Sequence, residues 1–321
     1  MEDEKLKRVL LGFQERRCQA PSLPRGRPNL TVLDGKAVVF TGSGRGIGAA
    51  CARSAASEGA KVVINDVAGN LVDKVVAEIR EEGGQAIGFA CDVSSSAEAL
   101  KLISCCCDSF GRIDGLVNNA ALIKHHSIDE MDEQDIDALL RVNVMGTIHC
   151  GRHAVARMKA QDGNASIVNV TSGSQMGLAG ASVYSATKGA VASLTYSWAL
   201  ELDGSPIRVN AVSPYAETRM SQATDAFRHR KGEPARAAAL PEPAANAPLV
   251  NFLLSDLSEG IIGQVFRLAG DELNTVTHPA LLCPPAVRRD WSAQKIDAIL
   301  KAELSGMLQP LGYQSVVQRP V

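Results

Sequence analysis

Short β-branched runs alternate with helical stretches along most of this chain, and this alternation limits the fold more than any other feature. The first two runs, at 37–41 and 61–65, flank a helical pattern at 46–58. Parallel neighbours need a crossover connection, usually a helix, so the pattern predicts βαβ units and a parallel sheet. We therefore expect a Rossmann-like, doubly wound α/β sheet of about seven parallel strands. The other predicted strands are at 86–90, 115–117, 166–170, 207–212 and 264–268.

The chain divides into three predicted parts. Residues 1–32 combine an amphipathic helical face with a linker rich in Pro and Arg. The α/β fold is expected over 33–275 as a single domain, because the alternation begins and ends there. Residues 276–321 form a predicted C-terminal extension.

Composition excludes several classes of partner. A formal net charge of -2 gives no basic field for nucleic acid or anionic membrane. No apolar run reaches the roughly 20 residues that a membrane-spanning helix needs. The 8 cysteines form no CxxC pair or Cys/His cluster, so we expect no metal site and a reduced, cytoplasmic protein.

A glycine-rich turn follows the first strand and leads into a helix. Glycines at such a turn let backbone N–H groups approach a pyrophosphate, and the helix N-terminus supplies partial positive charge. A turn of this kind by itself is weak evidence, because any strand-to-helix turn favours glycine. The predicted cofactor-binding residues here are Gly42, Ser43, Gly44, Arg45, Gly46, Ile47 and Gly48.

The choice of cofactor depends on the end of the second strand. Asp66 ends that strand, where a carboxylate accepts hydrogen bonds from the adenosine ribose hydroxyls and repels a 2′-phosphate. We therefore expect NAD rather than NADP, although Arg45 offers a possible phosphate contact. The alternative is that Asp66 only caps the following turn.

Tyr184 and Lys188 are four residues apart, so on a helix both project from one face. A free tyrosine has a pKa near ~10 and is a poor base at neutral pH. A neighbouring ammonium stabilises the phenolate, so we expect Lys188 to lower the pKa of Tyr184.

Taken together, the TGxxxGIG turn, Asp66, the Asn118-Asn119-Ala120 triplet and the Tyr184-to-Lys188 motif resemble the short-chain dehydrogenase/reductase family. The resemblance extends over about 33–270. The segments after Lys188 resemble a subgroup near the multifunctional-type hydroxyacyl and steroid dehydrogenases, which implies a secondary alcohol or ketone on a fairly large hydrophobic substrate.

The resemblance also implies roles for individual residues. Tyr184 would exchange a proton with the substrate oxygen while Lys188 holds the nicotinamide ribose, and Asn143, inside a helix predicted at 133–158, would hold a proton-relay water. Asn118 would brace adjacent strands, and Ala121 stands where the family usually has Gly. The remaining implied cofactor contacts are Asp92, Val93, Asn119, Ala120, Pro214 and Thr218.

The hydroxyl that holds the substrate oxygen is left open by the sequence. Counting the family spacing back from Tyr184 gives Thr171, whereas matching the end of the strand gives Ser172. We choose Ser172, because side-chain alternation along a strand sets direction more firmly than loop length does. Ser174 is a nearby alternative.

Several segments near this site have two interpretations. Tyr215 is either a wall of the substrate pocket or surface packing, and 216–248, which has no strand signal, is a lid or a disordered segment. His125 and His126 are expected as solvated loop residues rather than ligands, and the cysteine run at 105–107 as helix packing.

The sequence thus predicts an NAD(H)-dependent oxidoreductase that interconverts a secondary alcohol and a ketone. The substrate would be a small hydrophobic molecule, and the family resemblance implies a homodimer or homotetramer. A non-catalytic nucleotide-binding regulator or scaffold is the alternative from another class. A non-redox isomerase or epimerase that uses the same tyrosine is a third hypothesis.

Overall fold

The computed structural model describes residues 31–236, 238–280 and 292–304. The predicted N-terminal helix and linker lie outside these residues, as does much of the predicted C-terminal extension. The division into three parts therefore stays a prediction.

The described residues form one sheet of eight strands, in the order β3-β2-β1-β4-β5-β6-β7-β8. The first seven strands pair in parallel, which confirms the predicted Rossmann-like sheet. The strands are β1 (Ala37–Phe40), β2 (Lys61–Asp66), β3 (Gln85–Ala90), β4 (Gly115–Asn118), β5 (Ala165–Val170), β6 (Ile207–Val212), β7 (Val265–Ala269) and β8 (Glu272–Val276).

The eighth strand was not predicted. It pairs antiparallel with β7 at the edge of the sheet, after a tight turn in which Gly270 has a φ of 62°. Four of its five residues are exposed, so no apolar alternation marks it in the sequence. The sheet therefore extends to Val276.

Helices cover both faces of the sheet, as a doubly wound fold requires. On one face, α1 (Gly46–Ser57), α2 (Gly69–Glu81) and α8 (Ala247–Leu254) pack on a core that includes Phe40 and Ile64. On the other, α3 (Ser96–Phe110), α5 (Gly146–Met158) and α6 (Ser182–Glu201) pack on a core that includes Leu116. The shorter helices are α4 (Glu133–Leu139), α7 (Arg219–Arg230) and α9 (Ala293–Ile299).

The strand order reverses between β1 and β4, which both occupy the middle of the sheet. At such a switch point the following helices leave on opposite faces, and a crevice opens beyond the carboxyl ends of the strands. The glycine-rich turn after β1 and the Asn118-Asn119-Ala120 triplet after β4 meet at this crevice.

The helix predicted at 133–158 is interrupted. Between α4 and α5 the chain widens into a π-helical turn, Leu140–Met145, which contains Asn143. An inserted π turn breaks the helical spacing of side chains and is frequent at functional sites. Here it directs the buried Asn143 side chain to the loop after β4.

The segment 216–248 contains a helix that the sequence analysis did not predict. Thr218 is the N-cap of helix α7, and its hydroxyl accepts from the Ser221 N–H at 3.2 Å in a capping box. None of its twelve residues is buried, so it lacks the apolar stripe by which a helix is recognised. We call 216–248, with α7 at its centre, the lid segment.

Two helical glycines provide a test of the packing. A Cβ on Gly151 of α5 would lie 2.4 Å from Trp198 Cη2, whereas a Cβ on Gly189 of α6 meets nothing within 4 Å. Gly151→Ala is expected to destabilise the fold by about 1–3 kcal/mol through overpacking. Gly189→Ala, the matched control, is expected to stabilise it by about 0.5–1 kcal/mol through helix propensity. Calorimetric melting of both variants checks the pair, and equal shifts in Tm would contradict this packing.

Candidate active site

The glycine-rich turn is held against the loop after β4. A Cβ on Gly42, whose φ is 58°, would lie 2.6 Å from Ala120 Cα, and a Cβ on Gly48 would lie 2.5 Å from Asn119 Nδ2. The Asn119 amide donates to the carbonyls of Thr41 at 3.0 Å and Gly42 at 2.8 Å. Only glycine fits at these two positions, because the loop after β4 lies so close to the turn. This packing sets the shape of the turn.

The N-terminus of α1 fits an anionic group. Arg45 stands at its N-cap with no side-chain cap hydrogen bond, and the first turn carries no acidic residue. Its first N–H groups thus lack a side-chain partner, as a pyrophosphate-binding helix requires. Ile47, one residue inside this helix, lines the adjacent cavity.

The Ser43 side chain has a structural role. Its hydroxyl is fully buried and donates to the carbonyl of Phe40 at 2.7 Å, and it accepts from the Asn65 N–H at 3.2 Å. These bonds hold the turn to β2. The Ser43 side chain therefore braces the cofactor turn from behind, and its hydroxyl does not face the cavity.

Asp66 lies beside the glycine turn, where the cofactor prediction needs it. One carboxylate oxygen accepts from the Gly44 N–H at 3.2 Å and the other from the Ala68 N–H at 3.1 Å. A Cβ on Gly44 would lie 2.9 Å from Asp66 Oδ2. The two hydrogen bonds brace the turn. Because Asp66 is also partly exposed, its carboxylate presents acceptors at the surface of the crevice.

Asp92 and Val93 follow β3 at the same end of the sheet. Asp92 is exposed, and its carboxylate accepts from the Ser94 N–H at 2.9 Å, while Val93 is buried. Asp92 therefore caps the turn that follows β3. A cofactor contact by either residue stays a prediction.

Tyr184 and Lys188 lie on α6 and face the interior of the crevice. Tyr184 is 7% exposed and Lys188 is 3% exposed. The Lys188 ammonium donates to the carbonyl of Val170 at 2.7 Å and lies 5.8 Å from the centre of the Tyr184 ring. The helix thus brings the pair together, with the lysine anchored to the end of β5.

Burial shifts the pKa of both groups. It raises the pKa of Tyr184, and a hydrogen bond with the Ser172 side chain opposes that rise. It also lowers the pKa of Lys188 to about 8. The expected lowering of the Tyr184 pKa is therefore wrong, because desolvation outweighs the opposing hydrogen bond with Ser172.

The three candidate hydroxyls after β5 have different environments. The Thr171 hydroxyl donates to the carbonyl of Val212 at 3.1 Å, so it is used within the sheet. Ser172 accepts from the Ser174 N–H at 3.2 Å and reaches the Tyr184 side chain. Ser174 Oγ is buried without a hydrogen-bond partner. The geometry thus favours Ser172 over Thr171 as the neighbour of the tyrosine.

Asn143 connects the helix pair to the crevice. Its side-chain oxygen accepts from the Leu122 N–H at 2.7 Å, and its amide donates to the carbonyl of Leu122 at 3.0 Å and to Thr187 Oγ1 at 3.0 Å. All three bonds are to protein groups. The side chain therefore holds the loop after β4 against α6, which is a positioning role.

Asn118 braces the neighbouring strands. Its amide donates to Asn169 Oδ1 at 2.9 Å, and the Asn169 amide donates to Thr195 Oγ1 at 3.0 Å. This chain links β4, β5 and α6. It agrees with the bracing role that the resemblance implied for Asn118.

A cavity of about 410 Å³ lies beside the Tyr184–Lys188 pair. Of the predicted site residues, seven line it: Ile47, Asn119, Ser172, Tyr184, Lys188, Pro214 and Thr218. Tyr215 lines it as well, and the Arg267 guanidinium lies 4.7 Å from the centre of the Tyr215 ring. The pocket-wall interpretation of Tyr215 is the one that the geometry favours.

The lid segment covers part of this cavity and contacts the loop after β4. His125 stacks on Phe227 of α7, with ring centres 5.2 Å apart, and its Nε2 lies 3.1 Å from Thr224 Oγ1. His126 pairs with Asp135 at 2.9 Å. Both histidines lie in the loop after β4 and are partly exposed, as expected, and each ring also has a protein contact.

Two arginines on the cavity wall, Arg236 and Arg267, were not predicted as site residues. Arg236 lies beyond α7 in the lid segment, and Arg267 lies on β7. No motif or spacing marks them, because the pocket forms only when the lid segment folds over the strand ends. Their charge was the only available signal, and charged residues are common in any sequence.

No cluster of metal-ligating residues occurs in the described parts of the chain. The cysteine run lies on α3, where Cys106 is fully buried and burial raises the pKa of its thiol. The packing interpretation of the run therefore agrees with the structure.

Comparison with known proteins identifies the family. The family model for short chain dehydrogenases matches residues 36–229. The chain belongs to the short-chain dehydrogenase/reductase family. It is thus an oxidoreductase with a nicotinamide-type cofactor crevice, as the geometry of the glycine turn indicates.

Individual members resemble it over most of the domain. The 3-oxoacyl-[acyl-carrier-protein] reductase FabG of Thermotoga maritima is 34% identical over 248 residues, which are 74% of this chain and 98% of that protein. The peroxisomal multifunctional enzyme type 2 of Mus musculus is 31% identical over 287 residues, which are 81% of this chain and 36% of that protein. A short-chain dehydrogenase from Burkholderia cenocepacia, solved in complex with NADP, is 32% identical, with a TM-score of 0.66 and coverage of 74% of this chain and 98% of that one.

In the part of the chain that the structure describes, no helix is both long and apolar enough to cross a membrane.

The buried lysine makes a prediction for stability. The Lys188 pKa falls from 10.5 in the unfolded chain to about 8 in the fold. Between these two pH values Lys188 is protonated in the unfolded state and largely neutral in the fold, so stability rises with pH. Below pH ~8 the lysine is protonated in both states, and the cost of burying its charge is constant. Between pH 8 and pH 10.5 the free energy of unfolding of the parent should rise by about 3 kcal/mol relative to that of Lys188→Met. Urea unfolding of both proteins across this range checks it, and parallel curves would contradict it.

Proposed function

We propose that this protein is an NAD(H)-dependent oxidoreductase that interconverts a secondary alcohol and a ketone, with Tyr184 as the acid/base. One observation carries the proposal. The buried Tyr184–Lys188 pair and the Ser172 hydroxyl stand on the wall of one cavity, next to the anion-fitting start of α1. Family membership supports the reaction class.

Each residue has a task that its position permits. Ser172 donates a hydrogen bond to the substrate oxygen, and Tyr184 takes the hydroxyl proton in oxidation or returns it in reduction. Lys188 holds positive charge near the tyrosine and is anchored at Val170. A bound nicotinamide would supply the hydride acceptor for oxidation and the hydride donor for reduction. Pro214 and Thr218 line the same cavity and would help to hold it.

Asp66 supports the choice of NAD. Its carboxylate stands at the end of β2, beside the glycine turn, and a ribose 2′-phosphate there would meet a negative charge. A solved relative holds NADP, so family membership leaves the choice to local residues. Arg45 is exposed, and it is the one basic residue of the glycine-rich turn.

The non-catalytic alternative has no support from the relatives named above, which are described as a reductase, an enzyme and a dehydrogenase. The homodimer or homotetramer and the cytoplasmic location stay predictions.

Tyr184→Phe tests the reaction. The variant should lower kcat by about a hundredfold or more, because acid–base catalysis contributes that much. NAD binding should be nearly unchanged, since the phenolic oxygen is the only atom removed. A panel of secondary alcohols followed by NADH absorbance, with NAD titration by calorimetry as the control, measures both. Full turnover by the variant would refute the proposed mechanism.

Within the same experiment, Ser172→Ala and Thr171→Val form a matched pair. Ser172→Ala should reduce kcat with little change in Tm, because its hydroxyl faces the tyrosine. Thr171→Val should reduce Tm with a smaller change in kcat, because its hydroxyl bonds to Val212 inside the sheet. The reverse pattern would assign the substrate contact to Thr171.

Asp66→Ser tests the cofactor. Losing hydrogen bonds to a charged acceptor should raise the KM for NAD by about ten- to a hundredfold and improve NADP relative to NAD. Asp73→Ser, an exposed change of the same charge on α2, is the control for net charge and should change neither KM. An unaltered ratio of kcat/KM for the two cofactors in Asp66→Ser would contradict the assignment.

A further inference from the structure

We propose that the substrate carries a carboxylate and that Arg236 of the lid segment binds it, an inference that rests on the proposed function. The substrate would then be a small hydroxy acid or oxo acid with an apolar body. The carboxylate would lie under the lid segment, and the reacting carbon would lie at Tyr184.

The charge of the cavity wall is the first observation. Three cationic side chains line it, Lys188, Arg236 and Arg267, and none of the described lining residues is acidic. The charged side chains of the described wall are therefore all cationic, although the whole chain has a formal net charge of -2. A cleft lined by charge of one sign concentrates ligands of the opposite sign.

Arg236 has donor capacity left over. Its Nη2 donates to Asp225 Oδ1 at 2.9 Å, while its Nε is buried without a hydrogen-bond partner. A guanidinium has five N–H donors, and the bond to Asp225 uses one of them. Asp225 thus holds the guanidinium in place, and Arg236 lines the cavity, so its remaining donors are the ones proposed to meet an anion.

The charge balance favours a carboxylate over a phosphate. Asp225 already offsets part of the Arg236 charge, so the guanidinium suits one further negative charge better than two. An arginine fork also matches the planar geometry of a carboxylate.

The rest of the wall limits the body of the substrate. Near the lid segment it is lined by aliphatic and thioether side chains, Ile123, Leu178, Met220 and Leu240. The cavity measures about 410 Å³ and must also admit the nicotinamide ring. This favours a short hydrocarbon body with a single anionic group, smaller than the fairly large substrate that the resemblance implied.

The experiment compares hydroxy acids with their neutral methyl esters. The panel contains β-hydroxybutyrate, γ-hydroxyvalerate and mandelate, each with its ester, assayed with the full-length parent and with Arg236→Gln. We expect the parent to prefer the acids, and the variant to raise the KM for the acids by about ten- to a hundredfold, the usual effect of losing a charge-assisted hydrogen bond. The KM for the esters and for NAD should change less than about twofold.

Arg228→Gln is the matched control. Arg228 belongs to the same lid segment and pairs with Glu233 at 2.7 Å, but it does not line the cavity. This variant removes the same charge and should leave the acid-to-ester ratio unchanged. Asp225→Asn removes the offsetting charge and should improve the KM for the acids, which a merely structural role of Arg236 would not produce.

The outcomes separate this proposal from the proposed function. Esters and acids turned over equally by the parent, or acids unaffected in Arg236→Gln, would overturn the carboxylate site and leave the oxidoreductase standing. A preference for glycerol phosphate over the acids would also overturn it. If no panel member is oxidised, acetoacetate and methyl acetoacetate are titrated calorimetrically into the protein with NADH. Equal affinity for the acid and the ester would refute the carboxylate site. Failure to bind NADH at all would instead refute the proposed function.

Discussion

The close contact between the glycine turn and the loop after β4 supports the rest of the site. Gly42 and Gly48 lie so near Ala120 and Asn119 that neither glycine could carry a Cβ without displacing the loop. Asn119 completes the contact by bonding to the two carbonyls at the start of the turn. Because β1 and β4 are neighbours at the switch point, this contact closes the back of the crevice. The start of α1 then faces a space of defined shape.

Burial at the opposite wall of the crevice has two consequences. It holds Tyr184 and Lys188 in fixed positions, and it disfavours the charged form of each. The Lys188 ammonium retains one strong bond, to Val170 at the end of β5. The fold thus accepts a destabilising buried lysine beside Tyr184, the residue proposed as the acid/base. Functional sites commonly depart from the arrangement that stability alone would favour.

The lid segment supplies part of the cavity wall, including Met220, Arg236 and Leu240. Its helix α7 has no buried residue, and it contacts the body through the stacked rings of His125 and Phe227 rather than through a large apolar face. A segment with few buried contacts is suited to open and close over a ligand. Arg236 and Tyr215 reach the cavity from the lid segment and its base, so the proposed carboxylate contact lies on a different part of the chain from the glycine turn.

Local patterns predicted the parts of this protein that depend on nearby residues. The alternation of strands and helices gave the parallel sheet, and the spacing of Tyr184 and Lys188 placed both on one helical face. The edge strand β8 and helix α7 were missed, because both are exposed and carry no apolar periodicity.

The choice between Thr171 and Ser172 needed the partner strand. The Thr171 hydroxyl bonds to Val212, which follows it by 41 positions in the chain. Likewise, Arg236 and Arg267 join the cavity only because the lid segment and β7 meet over the strand ends. The sequence by itself determined the sheet, the glycine turn and the tyrosine–lysine pair, since each is set by short-range periodicity. Tertiary structure decided which hydroxyl faces the tyrosine, how burial shifts each pKa and which charges line the cavity, because these depend on groups far apart in the chain.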